Sequence, residues 1–394
     1  MKKIYLLLLI LTVFISISAV SAAENISDCD DVLYAGDVND LTASKTDEIM
    51  TKTIENANSN VLASDNKNPV QIPSKVKTND IKSTYGTKAK YNLKLFDQSG
   101  KIIAGKQVNF KIGKKAFKIK TDSMGVASLE LNYAAGKYVI KYSVDGLSGK
   151  NTYTVSNAVS LKILKWGNKG DICKADLLKK NMPNNKWVKA AVKAAKKGNP
   201  LLKFEGGKGK KVFIISGVHG NELSSQVASM RMIKYLTDHP IKGTVYMIPF
   251  VNIKAISHKV RHTGVDYNRV APKKGTISNK IVNLVVSYKC DSFCDLHTTD
   301  PGGLPGQNIA MGCKSPTPKS AELTNYIAKY AKVHKRIYKY AGQEYPTAFQ
   351  DTLNKKGIPS VCCEVKLPMN TLTSKTIKTS FNMAMATLKF NSII

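Results

Sequence analysis

Between residues 68 and 157 apolar and polar side chains alternate one by one. "AKYNLKLFD", "KQVNFKIG" and "GKYVIKYSVDG" all follow this pattern, and turn sequences such as "DQSG" and "DSMG" separate the runs. A strand turns successive side chains to opposite faces, so the alternation predicts short strands with one buried face and one wet face. Several of them at this spacing predict a small all-β sandwich. Nothing in this stretch has the residue types of a catalytic site.

From about residue 160 the pattern changes. "NKWVKAAVKAAKKG" predicts an amphipathic helix closed by a glycine. "PLLKFEGGKGKKVFIISG" predicts a hairpin whose Gly-rich turn leads into a buried strand over 211–216. "ELSSQVASMRMIKYL" has apolar residues at helical spacing. Strand "GTVYMIPFV", strand "CDSFCDLH", helix "PKSAELTNYIAKYAKVH" and strand "IPSVCCEVK" follow, with a last helix near 374–390. Buried strands alternating with helices predict an α/β fold over residues 158–394, its mostly parallel or mixed sheet covered on both faces.

The N-terminus carries a different signal. "MKK", the apolar run Ile4–Ile15 and the small residues of "SISAVSAAE" predict a signal peptide over residues 1–22. The alternative is an uncleaved anchor, but the run is short for a membrane span. A secreted or cell-surface protein is therefore expected, with no transmembrane span after cleavage. Residues 23–67 are rich in Asn, Ser, Thr and Asp without periodicity, which predicts a flexible spacer. Glu24–Lys67 holds 10 acidic and 3 basic residues, so the spacer is acidic.

The whole chain has 60 Lys+Arg against 28 Asp+Glu, a formal charge of +32. From Ala158 onward there are 39 basic and 13 acidic residues. Export argues against a nucleic-acid partner and in favour of an anionic cell-wall or lipid surface. A solvated lysine coat that aids solubility is the alternative. The seven cysteines, Cys29, Cys173, Cys290, Cys294, Cys313, Cys362 and Cys363, are odd in number and cluster in apolar runs. Buried thiols fit that pattern better than a disulfide framework.

Reactive groups in open α/β sheets gather at the carboxyl ends of strands. His219 follows strand 211–216 in "SGVHGNE", His297 ends strand 290–296, and Glu364 lies near the end of strand 358–365. Glu222 opens the helix after His219. Gly217 and Gly220 allow a sharp turn and a close approach. Two imidazoles and a carboxylate with one open position make a catalytic zinc site, and a further carboxylate serves as general base. His219, Glu222 and His297 supply the ligands, and Glu364 the base. Taken singly, each has a structural alternative: a chance H-x-x-E, a Glu complementing a helix dipole, a hydrogen-bonded strand-end His. Yet only five Glu stand in this part of the chain, Glu205, Glu222, Glu322, Glu344 and Glu364. One inside an apolar strand is hard to explain as solvation.

The region has four arginines, Arg231, Arg261, Arg269 and Arg336. Two of them flank "DYN" in residues 251–269, which points to bidentate carboxylate binding or to an Arg–Asp bridge holding the loop. His258 and His262 fit no ligand spacing and read as surface residues. In Cys290-x-x-x-Cys294-x-x-His297 the cysteines are expected on one strand face and His297 on the other, which favours packing over a thiolate metal site.

The order "GVHGNE", "N-x-x-A…R…D-x-N-R", "DLHTT" and "GIPSVCCEV" resembles the succinylglutamate desuccinylase/aspartoacylase group of the zinc carboxypeptidase superfamily, over about residues 200–370. The resemblance implies an amide hydrolase with one Zn2+ on a twisted mixed sheet flanked by helices. It places His219, Glu222 and His297 on zinc and gives Glu364 the water proton. Arg261 would stabilise the oxyanion. Asn268 and Arg269 would hold the substrate carboxylate, and Tyr345 would cap the substrate. Ile253 and Tyr267 depart from the family's usual proline and leucine without touching a ligand. "TDSMGVASLEL" and "GKYVIKYSV" resemble bacterial immunoglobulin-like repeats, which implies an Ig-like spacer or wall-facing module over residues 68–157.

A carboxylate clamp beside an activated water implies cleavage of an amide near a free carboxylate. With export, this favours a metallocarboxypeptidase acting on cell-wall or other extracellular peptides. The alternatives are a deacylase of N-acyl amino acids and a non-catalytic surface adhesin.

Overall fold

The computed structural model describes residues 71–394. The signal peptide over residues 1–22, the spacer over 23–67 and Cys29 lie outside the described residues. Among the described residues no helix is long and apolar enough to cross a membrane.

Eight strands form the N-terminal part: β1 (Lys75–Lys77), β2 (Ile81–Thr84), β3 (Ala89–Phe96), β4 (Gln107–Ile112), β5 (Lys115–Lys120), β6 (Val126–Leu131), β7 (Gly136–Val144) and β8 (Leu147–Ser156). They make a three-stranded sheet, β1-β3-β6, and a five-stranded sheet, β2-β8-β7-β4-β5. In β4 the sequence alternation is realised residue by residue: Val108, Phe110 and Ile112 are buried, while Gln107, Asn109 and Lys111 are exposed. The buried sides of both sheets share one apolar core, with Tyr91 of one sheet edge-on to Phe110 of the other at 5.7 Å.

Asn157 then ties this part to the next. Its Nδ2 donates to Leu236 O and His239 O at 2.6 and 2.7 Å, and its Oδ1 accepts from Ile241 N at 3.0 Å.

The remaining elements are β9 (Ala158–Leu164), α1 (Asp176–Lys180), α2 (Lys186–Ala195), β10 (Asn199–Glu205), β11 (Lys211–Ser216), α3 (Leu223–Asp238), β12 (Thr244–Ile248), α4 (Ile253–His258), α5 (Ile277–Ser287), β13 (Ser292–Thr299), β14 (Ile309–Ser315), α6 (Lys319–Ala331), β15 (His334–Tyr340), α7 (Phe349–Asn354), β16 (Ser360–Lys366) and α8 (Ser374–Phe390). The strands form one eight-stranded sheet in the order β15-β14-β16-β13-β11-β12-β10-β9. Its centre, β12-β11-β13-β16, is parallel, while β10 and β9 on one side and β14 on the other join antiparallel. The sheet is mixed, as expected. One face packs Ile214, Cys294 and Val361 against α3, α6 and α8. The other packs Phe213, Ile215 and Phe293 against α5 and α7.

Several expectations need correction. β10 and β11 do not form a hairpin, because β12 pairs with both and lies between them. The helix expected to run through His334 ends at Ala331, where Lys332 takes a left-handed backbone (φ 55°) and the chain turns into β15. Strand β13 runs on to Thr299, so His297 lies inside it. Cys290 and Cys294 do not share a face. Cys290 precedes the strand and packs on the α5 and α7 side, and Cys294 packs on the opposite side. Among the described residues, Cys290, Cys294, Cys313, Cys362 and Cys363 are buried thiols.

Candidate metal centre and its cavity

Parallel pairing brings the carboxyl ends of β11, β13 and β16 to one edge. Ser216 at the end of β11 is in register with Leu296, and His297 is in register with Glu364. The turn after β11 needs both of its glycines. Gly217 has φ 68°, in the left-handed region. A Cβ on Gly220 would stand 2.1 Å from the carbonyl carbon of Ala255, so its close approach is to the α4 backbone. Gly220 N also donates to Arg261 O at 3.0 Å, which fixes the arginine loop to this turn. Asn252 caps α4 through Ala255 N.

Glu222 is the hub of the cluster. Its Oε1 lies 2.6 Å from His219 Nδ1 and its Oε2 lies 2.9 Å from His297 Nδ1. Thr298 N donates to Oε2 at 2.9 Å. The carboxylate opens α3 without capping it, so it serves the imidazoles rather than its own helix end. The ligand atoms of His219, Glu222 and His297 all lie within 4.8 Å of one another, and the three residues are buried. This donor set can hold a metal ion.

The far side of each imidazole meets another carboxylate. His219 Nε2 is 3.1 Å from Asp266 Oδ1, and His297 Nε2 is 2.9 Å from Asp295 Oδ2. Such partners orient ligating imidazoles and raise their basicity. The arrangement therefore passes the test that a resident metal imposes: two Nδ1 atoms converge with one carboxylate, and a further carboxylate oxygen lies within 3.1 Å of each outer nitrogen. Burial opposes charge on His219, but Glu222 and Asp266 outweigh it and raise its pKa. His297 is raised further, with Asp295 and Glu222 overcoming burial. Burial would lift Glu222 and Asp266, yet the histidines hold both well below the usual carboxylate range.

Asp266 entered the sequence reading only as a salt-bridge partner of the arginines, and Asp295 was not singled out. For Asp295 a signal existed: it stands two residues before His297, on the same strand face.

Glu364 lies beside this cluster. Its Oε2 is buried without a hydrogen-bond partner, and its Oε1 is 3.9 Å from Cys362 Sγ. Burial is the largest influence on its carboxyl and pushes its pKa up to about 7; Glu222 adds to this, while His297 and His219 oppose it. Arg261 Nη1 is 3.7 Å from Glu222 Oε1 and its Nη2 is 3.4 Å from Asp266 Oδ2. The Arg–Asp contact considered from the sequence is thus present, with the guanidinium still partly exposed.

Arg269 stacks over the Tyr345 ring at 5.2 Å and donates to Asn268 O at 3.1 Å. Asn268 Oδ1 accepts from Phe349 N at 3.2 Å. Burial and Glu344 push the Tyr345 hydroxyl up to about 12. His258 is exposed at the end of α4, and His262 is exposed nearby.

These groups surround a cavity of about 210 Å³. Every predicted site residue lines it except His297, which is 1% exposed and stands behind. A wider cavity of about 640 Å³, beside Tyr133 and Lys242, contains none of them.

Among solved structures, the chain is similar to an aspartoacylase family protein from Mesorhizobium loti, at 19% identity, covering 60% of this chain and 68% of that one, with a TM-score of 0.43. A succinylglutamate desuccinylase/aspartoacylase from Rhodobacter sphaeroides matches at 22% identity over 50% of this chain and 60% of that one, TM-score 0.40. The apo cell shape determinant protein Csd4 from Helicobacter pylori matches at 14% over 47% and 51%, TM-score 0.40. This chain spans about two thirds or less of each. No curated protein matches it. Residues 208–365, which contain every predicted site residue, match the family described as the succinylglutamate desuccinylase/aspartoacylase catalytic domain.

Proposed function

We propose that this protein is a zinc-dependent hydrolase that removes the acyl group from an N-acyl amino acid with a free carboxylate. One observation carries the reading: a buried His–Glu–His cluster shares a small cavity with two arginines and with Glu364, whose Oε2 has no hydrogen-bond partner among the described residues. His219, Glu222 and His297 would hold the ion. Zinc, when bound, supplies an acidified water and polarises a carbonyl.

The remaining work falls to the chain. Asp266 and Asp295 fix the two imidazoles. Glu364 takes the water proton on its carboxylate and returns it to the departing nitrogen. Arg261 offers its guanidinium to the carbonyl oxygen. Asn268 and Arg269 hold the free carboxylate, and Tyr345 closes over it.

The sequence alone favoured a carboxypeptidase. The C-terminal residue of a peptide presents the same acyl–NH–CHR–COO⁻ group, so the two readings differ only on the acyl side. The matched family takes its name from acyl removal, which favours the deacylase. Secretion, an Ig-like spacer over residues 68–157 and an anionic surface as partner remain part of this proposal.

The test incubates zinc-loaded protein with N-acyl amino acids and with short peptides, and measures released amino acid by mass spectrometry. N-acyl substrates are expected to be cleaved, and Glu364→Gln to lower the rate by about 10²–10⁴-fold while retaining zinc. Release from peptides alone would favour the carboxypeptidase. A silent protein, or one indifferent to Glu364→Gln, would favour the adhesin.

A further inference from the structure

Gln350 puts an uncommitted amide in the cavity. It is the second residue of α7, 4% exposed, and it lines the cavity with Glu364 and Tyr345. Its Oε1 is buried and has no hydrogen-bond partner among the described residues. Thr298, also on the lining and buried, has an unpartnered Oγ1. Buried polar atoms of this kind are nearly always paired, and a ligand group is one natural partner.

The charges around Gln350 limit that partner. The lining holds two cations, Arg261 and Arg269, and three carboxyl groups, Glu222, Asp300 and Glu364. Arg261 faces Glu222 and Asp266 at the metal cluster. Arg269 stacks on Tyr345 beside Asn268. Once one substrate carboxylate and the scissile carbonyl have taken these arginines, no cation among the described residues of the lining is left for a second carboxylate. Met311 and Cys362 add apolar, uncharged wall.

We infer that Gln350 selects the side chain of the substrate's amino acid, accepting a short neutral group that hydrogen-bonds with an amide, such as a carboxamide or hydroxyl, and rejecting a carboxylate. The inference rests on the proposed function for the identity of the site, and it narrows the substrate. The amino acids named in the matched family carry a second carboxylate. Here the released amino acid is neutral.

Binding reads this pocket whether or not a bond is cut. Calorimetry on the zinc-loaded full chain compares N-acetylglutamine and N-acetylserine with N-acetylnorvaline and N-acetylglutamate. Wild type is expected to bind the better of the first two about tenfold tighter than either of the others, the worth of one hydrogen bond. Gln350→Leu removes that preference over norvaline. Gln350→Glu keeps the side-chain shape and turns the preference toward cationic N-acetylornithine. Equal or tighter binding of N-acetylglutamate by wild type overturns the inference, as does an unchanged preference in Gln350→Leu. Binding with the expected preference but no hydrolysis overturns the proposed function and leaves the pocket standing. Absence of all binding overturns both.

Discussion

Strands β4 and β13 treat polar residues in opposite ways. In β4 every second residue is polar and lies in water, so Gln107, Asn109 and Lys111 can be satisfied by solvent. In β13 all eight residues are buried, yet Asp295, His297, Thr298 and Thr299 are among them. A central parallel strand covered on both faces has no wet side, so its polar groups must be met by protein groups or by a bound ligand. Asp295 and His297 find each other at 2.9 Å, and His297 also finds Glu222. The difference separates a strand that only needs to fold from one that carries chemistry.

The largest expected effect comes from cutting that buried chain of charges. His297→Ala leaves Asp295 without its imidazole and Glu222 with only that of His219. We expect a loss of about 3–5 kcal/mol in stability by chemical denaturation, together with loss of bound zinc. If stability falls by less than about 1 kcal/mol, β13 does not differ from β4 as much as the structure makes it.

Asp295→Asn keeps the shape and removes only the charge behind His297. Zinc affinity should fall about 10–100-fold in a competition titration with a chromogenic chelator. Unchanged affinity would mean that Asp295 plays no part in orienting the ligand.

A third substitution asks whether burial of charge costs stability away from the metal cluster. Asp351 in α7 is 4% exposed, and burial pushes its carboxyl up to about 6, against 3.8 for an ordinary aspartate. Its folded pKa is thus raised, so its contribution is complete below about pH 4 and is lost as the pH rises through about 6. Asp351→Asn should stabilise the protein at pH 8 by about 1–3 kcal/mol, with the gap closing toward pH 4. Thermal melts across that range would show it, and a gap that widened on acidification would refute it.

The smallest effect belongs to β4. Lys111→Ala, on its exposed side, should change stability by no more than about 0.5 kcal/mol and leave hydrolysis and zinc content unaltered.

The buried His–Glu–His cluster and the carboxyl beside it were legible because such residues are spelled in local units. His219 and Glu222 share one turn, His297 sits near the end of an apolar strand, and Glu364 is a charge where solvation cannot explain one. Asp266 was legible only as an arginine partner, and Gln350 had no signal at all. Asp266 stood among charged loop residues, and Gln350 is one amide in an otherwise ordinary short helix. The hairpin expectation failed because insertion of β12 between β10 and β11 is a long-range event, invisible to a turn-based reading. β15 escaped because it is an edge strand, "HKRIYKY", partly solvated on both faces and without clean alternation.

By itself the sequence determined where the central strands of the sheet and its longer amphipathic helices would form, since periodicity of burial is written residue by residue. It also determined which side chains could bind a metal, because that depends on residue type. Only the tertiary structure decided which of them meet. Parallel pairing sets His297 level with Glu364, the glycine turn folds His219 and Glu222 beneath them, and the loop after α4 carries Asp266 and Arg261 to the same place. Register and crossover depend on contacts far apart in the chain, and no local pattern records them.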